Sequence, residues 1–123
     1  MVEVNLWHVV APNPDRAASV QDAKRHVAGY ASIAQYESYF AAHGFGAQAR
    51  ALQEAVGAGD PHAPDLVPDD MARTFVVCGT PGEVAAQLEP MWDVADSMCL
   101  QPPPVRGEAR AAYEARIAET FYT

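Results

Sequence analysis

The sequence predicts an α/β fold with a parallel sheet, and residues 75–84, FVVCGTPGEV, give the main reason. An apolar run here leads directly into a helix start. Thr80 takes the N-cap position, Pro81 the first helical position, and Glu83 stands three residues after the cap. A second apolar run follows at residues 96–101. A strand, a helix and a strand within about thirty residues form a crossover unit, and the two strands of such a unit are parallel.

The opening segment adds a third strand and a helix. Residues 2–10 alternate in polarity and are rich in β-branched and aromatic side chains, which predicts a strand. Asn13 can cap the next helix with Pro14 in its first turn, and the helical spacing continues to about Ala28. We expect Gly29 to break or bend this helix.

The rest of the chain predicts further helices. One covers about residues 32–43, and Gly44 is placed to end it in a left-handed conformation. Another covers about residues 46–56, and a short helical turn begins at residues 68–70. Apolar side chains at four-residue steps predict a last helix at about residues 107–121. For 123 residues we expect one domain, with three strands and about five helices.

The composition limits the partners and the location of the chain. It carries 16 acidic and 8 basic side chains, a net charge of −8, so we expect neither nucleic acid nor an anionic membrane as a partner. No apolar window approaches the roughly 18–20 residues of a membrane span, and the first residues lack the basic segment of a signal peptide. Cys78 and Cys99 fall in predicted strands; the main interpretation is two buried, reduced thiols, and the alternative is a disulfide between neighbouring strands. We therefore expect a cytoplasmic protein.

Several short motifs, taken in order, resemble those of one family. They are the opening VEVNLWHVV, Gly29-Tyr30, Tyr36, Phe40, Gly44-Phe45-Gly46, Gly59-Asp60, Val67-Pro68-Asp69, VVCGTPGEV and ADSMCLQPP. From about Val2 to Pro103 the chain resembles the carboxyl-terminal part of the luciferase-like monooxygenase family, the class that includes reductases using the deazaflavin coenzyme F-420.

The resemblance implies an α/β fold that is a partial (β/α)₈ barrel, with about three parallel strands and several helices. The insertion helices would lie at about residues 14–74 and a last βαβα unit at about residues 75–121. It also implies FMN or coenzyme F-420 as the cofactor. In the family the earlier strands carry most of the flavin contacts, including a glycine-rich loop for the cofactor phosphate. Nothing in this chain matches that loop.

The ends of the predicted strands carry the candidate site residues, because ligands of parallel barrels bind at the carboxyl ends of the strands. His8 is a weak catalytic candidate, either as a general acid or base or as a polar contact to a flavin ring; the alternative is a hydrogen-bonded histidine at a strand end. Trp7 could stack on a flavin or belong to the core. Thr80 could contact a phosphate or only cap its helix. Gln101 could hydrogen-bond a ligand, because a polar residue that closes an apolar strand has few structural reasons to be there.

The aromatic residues of the insertion region have two interpretations. They are Tyr30, Tyr36, Tyr39, Phe40 and Phe45. In the family this region helps to cover the substrate pocket or the dimer interface, and packing in the core is the alternative. The histidines and cysteines show no spacing that suggests a metal site.

Two hypotheses about function follow. In the first, the chain is part of a flavin- or F-420-dependent oxidoreductase and is incomplete for catalysis on its own. It is then either a truncated gene product or one part of a barrel that a complementary chain completes. Three parallel strands cannot close a barrel, which needs about eight. In the second, the chain is a non-catalytic α/β interaction module that forms a homo-oligomer through an exposed sheet face.

Overall fold

The computed structural model describes residues 3–103, 105 and 107–121, with the backbone but not the side chain of Trp7. The fold is α/β, as the sequence predicts, with a parallel sheet. Its elements are β1 (Asn5–Pro12), α1 (Arg16–Ala31), α2 (Glu37–Ala42), α3 (Gly46–Gly57), α4 (Asp69–Phe75), β2 (Val77–Gly79), α5 (Pro81–Leu88), β3 (Ser97–Gln101) and α6 (Gly107–Phe121). Short 3₁₀ turns cover Ala34–Tyr36, Ala63–Leu66 and Glu89–Asp93.

The described sheet has the strand order β2-β1-β3, with β1 in the centre. Both outer strands run parallel to β1, so the strands of the predicted crossover unit are parallel, but they are not neighbours. Successive strands of a (β/α)₈ barrel lie side by side in chain order, which would place β2 in the centre. The observed order is instead found in open α/β sheets with helices on both faces.

Helices cover both faces of the sheet, because the side chains of β1 alternate between two cores. Val9 and Ala11 belong with the core formed with α1, α3 and α4, and we call this side the α1 face. Leu6 and Val10 pack with α5 and α6 on the opposite side, the α5/α6 face. The core of the α5/α6 face contains Val10, Val84, Leu88, Met98 and Ile117.

The start of α5 has the capping box that the sequence predicts. The Thr80 hydroxyl accepts a hydrogen bond from the Glu83 backbone N–H, and the Glu83 carboxylate accepts one from the Thr80 N–H at 3.0 Å. Gly79 precedes the cap with φ +131°, a conformation that side chains rarely adopt, so the tight turn from β2 into α5 requires glycine.

The first helix differs from the prediction at both ends. Asp15, not Asn13, is the N-cap: its carboxylate accepts hydrogen bonds from Ala17 and Ala18, and Asn13 in turn accepts one from the Asp15 N–H. The helix also continues through Gly29 to Ala31. A glycine inside a helix costs only about 1 kcal/mol relative to alanine, and burial of the flanking helix residues offsets that cost.

Other element bounds shift for local reasons. The opening strand extends to Pro12 because its end pairs with β2, whereas Val2 lies outside the described residues. Phe75 ends α4 and does not begin β2, because the Val76 N–H still donates to the Ala72 carbonyl. The segment after Ser32 forms a 3₁₀ turn and a shorter helix, and Gly44 ends it with φ +88°, as predicted.

The cysteine prediction is correct for one residue only. Cys78 is buried in β2, but Cys99 is exposed on β3, so the prediction of two buried thiols was wrong for Cys99. The two thiols are free, and β1 separates the strands that carry them. Cys99 is exposed because no helix covers the part of the α1 face that β3 contributes, as far as residues 3–103, 105 and 107–121 show. None of the helices in those ranges combines the length and apolar character needed to cross a bilayer.

Candidate functional site

A cavity of about 530 Å³ opens on the α1 face beside β3. Its wall is mainly aromatic, and we call it the aromatic cavity. The aromatic residues that line it are Tyr30, Tyr36, Tyr39, Phe40 and Phe75. Val9, Val27, His8, His26 and Gln101 complete the lining. A concave, largely apolar space of this size with a few polar groups is typical of small-molecule sites.

Four elements converge to build the aromatic wall. Tyr30 comes from α1 and lies 6.0 Å, centroid to centroid, from Tyr36 of the following 3₁₀ turn. Phe40 of α2 contacts Phe75, the last residue of α4, in an edge-to-face arrangement at 4.8 Å. Tyr39 also lies 5.6 Å from Phe75. Phe75 therefore joins the rings of α2 to α4, which itself packs against α1.

Two polar side chains from opposite sides border the cavity. Gln101 ends β3 and pairs in register with Val9, so its exposed side chain lies on the α1 face. His26 lies one turn before Tyr30 on α1, and their rings are 4.9 Å apart. Burial lowers the pKa of His26 below its ordinary value of 6.5, so the imidazole is neutral at pH 7 and has one donor and one acceptor nitrogen. Both side chains can therefore donate and accept hydrogen bonds.

His8 borders the aromatic cavity, but strand alternation directs its imidazole away from it. Leu6 and Val10 belong to the α5/α6 face, and His8 lies between them in the same strand. Its Nε2 atom is buried and has no hydrogen-bond partner among the described residues. A buried nitrogen without a hydrogen bond costs about 1–3 kcal/mol of stability. The predicted role of His8 as a flavin contact stays a prediction.

The structure gives Thr80 a capping role. Its hydroxyl and its backbone N–H are both used within the capping box. The hydrogen bonds from Arg16 and Thr80 lower the pKa of Glu83 to about 2, so a carboxylate already occupies this helix N-terminus. A phosphate would meet that negative charge. Thr80 lines neither of the two cavities described here. The side chain of Trp7 lies outside the described residues, and only its backbone pairing with Cys99 is described.

The carboxyl end of the central strand is filled by α6. Open α/β sheets bind ligands at the carboxyl ends of their strands, where the chain connections leave in opposite directions. Here Arg116 donates a hydrogen bond of 2.8 Å to the Pro12 carbonyl, and Tyr113 hydrogen-bonds Asn13 and Asp22. The aromatic cavity therefore lies at the end of β3 on the α1 face, and not at the end of the central strand.

The structure joins some of the predicted site residues and separates others. Gln101 shares the aromatic cavity with four of the five insertion-region aromatics, whereas Thr80 lies apart. Of those aromatics, Phe40 is buried and Phe45 packs against the core, but Tyr30, Tyr36 and Tyr39 are exposed. Sequence reasoning missed His26 and Phe75. The four-residue step from His26 to Tyr30 on one helix was a usable signal, since side chains at that spacing are neighbours.

Comparisons with known proteins identify no relative. No protein-family model, curated protein or solved structure matches the chain. Among the residues described, no group of three or more histidine, cysteine, aspartate or glutamate side chains could hold a metal ion. The aromatic cavity and the family resemblance of the motifs are therefore the two grounds for a functional proposal.

Proposed function

We propose that this chain is the carboxyl-terminal part of a luciferase-like oxidoreductase that uses a flavin or coenzyme F-420, and that it is incomplete for catalysis on its own. The observation that carries the proposal is the aromatic cavity beside Gln101. Tyr30, Tyr36 and Tyr39 belong to the insertion region, which in the family helps to cover the substrate pocket or the dimer interface, and here they line one cavity with the residue that closes β3.

The lining of the aromatic cavity fits a planar tricyclic ring. Aromatic rings on several sides offer stacked and edge-to-face contacts, and each such pair contributes about 0.5–1.5 kcal/mol beyond simple burial. The amide of Gln101 matches a ring edge that carries alternating carbonyl and N–H groups, because it offers both a donor and an acceptor. Neutral His26 does the same from α1. When bound, such a ring supplies hydride or oxygen chemistry that side chains lack.

The exposure of the cavity explains why the chain would need a companion. Tyr30, Tyr36 and Tyr39 are each 41–54% exposed, so this wall leaves the ring open to water. Exclusion of water from an active site strengthens its electrostatic interactions and prevents side reactions of reactive intermediates. A complementary chain would cover the open side of the aromatic cavity and leave the pairing of β3 with β1 in place. A cytoplasmic location belongs to the same proposal.

Titration with flavins tests the proposed ring site. We expect riboflavin and FMN to bind at a single open site with Kd values of about 1–100 μM. Binding is measured by the quenching of flavin fluorescence. Coenzyme F-420 is titrated in parallel. Tyr36→Ala should weaken binding at least about tenfold, because it removes a ring from the cavity wall. The matched control is Trp92→Ala, which removes a similarly exposed ring that lines neither cavity. No binding of any of these ligands at about 1 mM would overturn the proposal.

A second candidate is the non-catalytic interaction module. The observation in its favour is the exposed apolar rim of the cavity, formed by Tyr30, Ile33, Tyr36 and Tyr39, since exposed apolar patches mark interaction surfaces. It predicts a homodimer in sedimentation at tens of micromolar, which Tyr39→Glu disrupts and the control Val94→Glu does not. A monomer that binds flavin favours the oxidoreductase proposal, and a dimer without flavin affinity favours the module.

A further inference from the structure

A second cavity of about 310 Å³ continues from the aromatic cavity. The two share Val9, His26, Tyr30 and Gln101 in their linings. The second one adds Arg25 of α1 and Arg110 of α6, and we call it the arginine cavity. A ligand that fills the aromatic cavity past Tyr30 and Gln101 would therefore reach two guanidinium groups.

The arginine cavity has a basic lining although the whole chain is acidic. The chain carries twice as many acidic as basic side chains, with a net charge of −8. No carboxylate lines either of these two cavities, while two of the eight basic residues line the smaller one. Because the paired carboxylates Asp22 and Glu114 lie outside the lining, a ligand in the cavity meets the two guanidinium groups, which favour an anionic group over a cationic one.

Both arginines keep donors that an anion can use. Arg25 pairs with Asp22 through Nη1 at 3.0 Å, and Arg110 pairs with Glu114 through Nε at 2.9 Å. The side chains of both arginines are more than half exposed, so their remaining N–H groups are accessible. The Arg110–Glu114 pair is exposed on both sides and weak, whereas Asp22, the partner of Arg25, is largely buried. A guanidinium has five N–H donors in a planar fork that suits phosphate oxygens, so each arginine can hold its carboxylate and still contact a phosphate.

We propose that Arg25 and Arg110 bind the phosphate of a planar aromatic cofactor whose ring occupies the aromatic cavity. This inference rests on the proposed function, and it places on this chain a phosphate anchor that differs from the glycine-rich loop missing from the sequence. The ring site and the phosphate site lie on either side of the shared residues His26, Tyr30 and Gln101. The bound molecule then extends from the rings of α2 to Arg110 in the first turn of α6.

Riboflavin and FMN test the anchor because they differ only in the phosphate. We expect FMN to bind about tenfold more tightly than riboflavin in about 50 mM salt, and this advantage to shrink strongly at about 500 mM salt. The double variant Arg25→Gln/Arg110→Gln should bind FMN only as tightly as riboflavin, with the Kd for riboflavin unchanged. Arg50→Gln is the matched control, because Arg50 is an exposed helical arginine that lines neither cavity.

The outcomes separate this inference from the proposed function. If riboflavin and FMN bind equally well and the double variant changes neither Kd, the ring site stands and the arginine anchor is wrong. If neither flavin binds, both proposals are wrong. Inorganic phosphate gives an independent check: it should compete with FMN but not with riboflavin. Circular dichroism of the double variant keeps a folding defect distinct from a loss of the anchor.

Discussion

The carboxyl ends of β1 and β2 differ from the carboxyl end of β3 in how their polar groups are paired. At the β1–β2 end, Ser19 is fully buried, donates to the Ala11 carbonyl at 2.5 Å and accepts from the Gly79 N–H at 2.8 Å. The Gln87 side chain donates to the Cys78 carbonyl in the same region. At the end of β3, the exposed Gln101 side chain has no hydrogen bond to any described residue. Buried polar groups are almost always paired, so the first region is built for stability.

This difference separates structural polar groups from those free to recognise a ligand. The polar side chains of the β1–β2 end hold elements together: Ser19 joins α1 to β1 and β2, and Gln87 joins α5 to β2. Those of the β3 end border two cavities and leave their capacity to bind unused. Substitutions at the β1–β2 end should therefore change the free energy of unfolding, and substitutions at the β3 end should change ligand affinity.

The largest expected effect is that of Ser19→Ala. It removes the partner of two buried backbone groups, on Ala11 and Gly79, and each unpaired group costs about 1–3 kcal/mol. We expect the free energy of unfolding to fall by about 2–4 kcal/mol, measured by urea denaturation with an unchanged m-value. Ser97→Ala is the control, since the Ser97 hydroxyl donates to the Asn5 side chain at an exposed position and should matter little. If Ser19→Ala and Ser97→Ala lower the free energy of unfolding equally, the buried hydrogen bonds of the β1–β2 end do not have the structural role described.

Tyr113→Phe should have the next largest effect. The buried hydroxyl donates to Asp22 and accepts from Asn13, so its loss should cost about 1–2 kcal/mol at neutral pH. Burial raises the pKa of Tyr113 from 10.0 to about 12. The unfolded chain therefore ionises first as the pH rises, and the stability from this group is complete below pH 10 and lost by about pH 12.

The measurement is urea denaturation between pH 8 and about pH 12, with parent and variant compared. The parent should lose stability faster than Tyr113→Phe over the upper part of this range. Tyr39→Phe is the control, since Tyr39 is exposed at the aromatic cavity and lies outside the β1–β2 end. A parallel pH dependence of parent and Tyr113→Phe would show that the hydroxyl is not held as described.

Features that depend on nearby residues could be predicted from the sequence. The capping box of α5 and the bounds of α6 follow from side chains within a few positions of each other. The left-handed Gly44 also follows from its place after a helical run. The N-cap of α1 was missed, because Asn13 and Asp15 are both good caps and only the backbone path beyond β1 decides between them.

Features that depend on distant pairings could not be predicted. The choice of β1 as the central strand rests on pairs such as Trp7 with Cys99, about ninety positions apart along the chain, and no local pattern encodes it. The exposure of Cys99 follows from the same choice. The aromatic cavity was partly accessible: its insertion-region rings and Gln101 were identified separately, but their convergence depends on Phe75 and α1.

Glu83→Gln should have a smaller effect, which is present at neutral pH and disappears in acid. Hydrogen bonds from Arg16 and Thr80 lower the pKa of Glu83 from 4.5 to about 2. The folded chain therefore binds this proton later than the unfolded chain as the pH falls. The stabilisation is present above pH 4.5 and is lost as the pH falls towards 2. In Glu83→Gln the loss of stability that this carboxylate causes between pH 4.5 and about pH 2 should be absent. Thermal unfolding at pH values across that range measures it. An unchanged acid profile would contradict the pairing at the β1–β2 end.

Gln101→Leu should have the smallest effect on stability and a clear effect on binding. Gln101 is exposed and makes no side-chain hydrogen bond to a described residue, so the free energy of unfolding should change by less than about 0.5 kcal/mol. The leucine keeps a similar volume but removes both the donor and the acceptor that border the aromatic cavity. We expect the Kd for riboflavin to rise about five- to tenfold, because one hydrogen bond to the ligand is lost. Gln53→Leu, on α3 and outside both cavities, controls for loss of an amide elsewhere. A large loss of stability without a change in Kd would show that Gln101 stabilises the fold. It would also contradict a role of Gln101 in ligand binding.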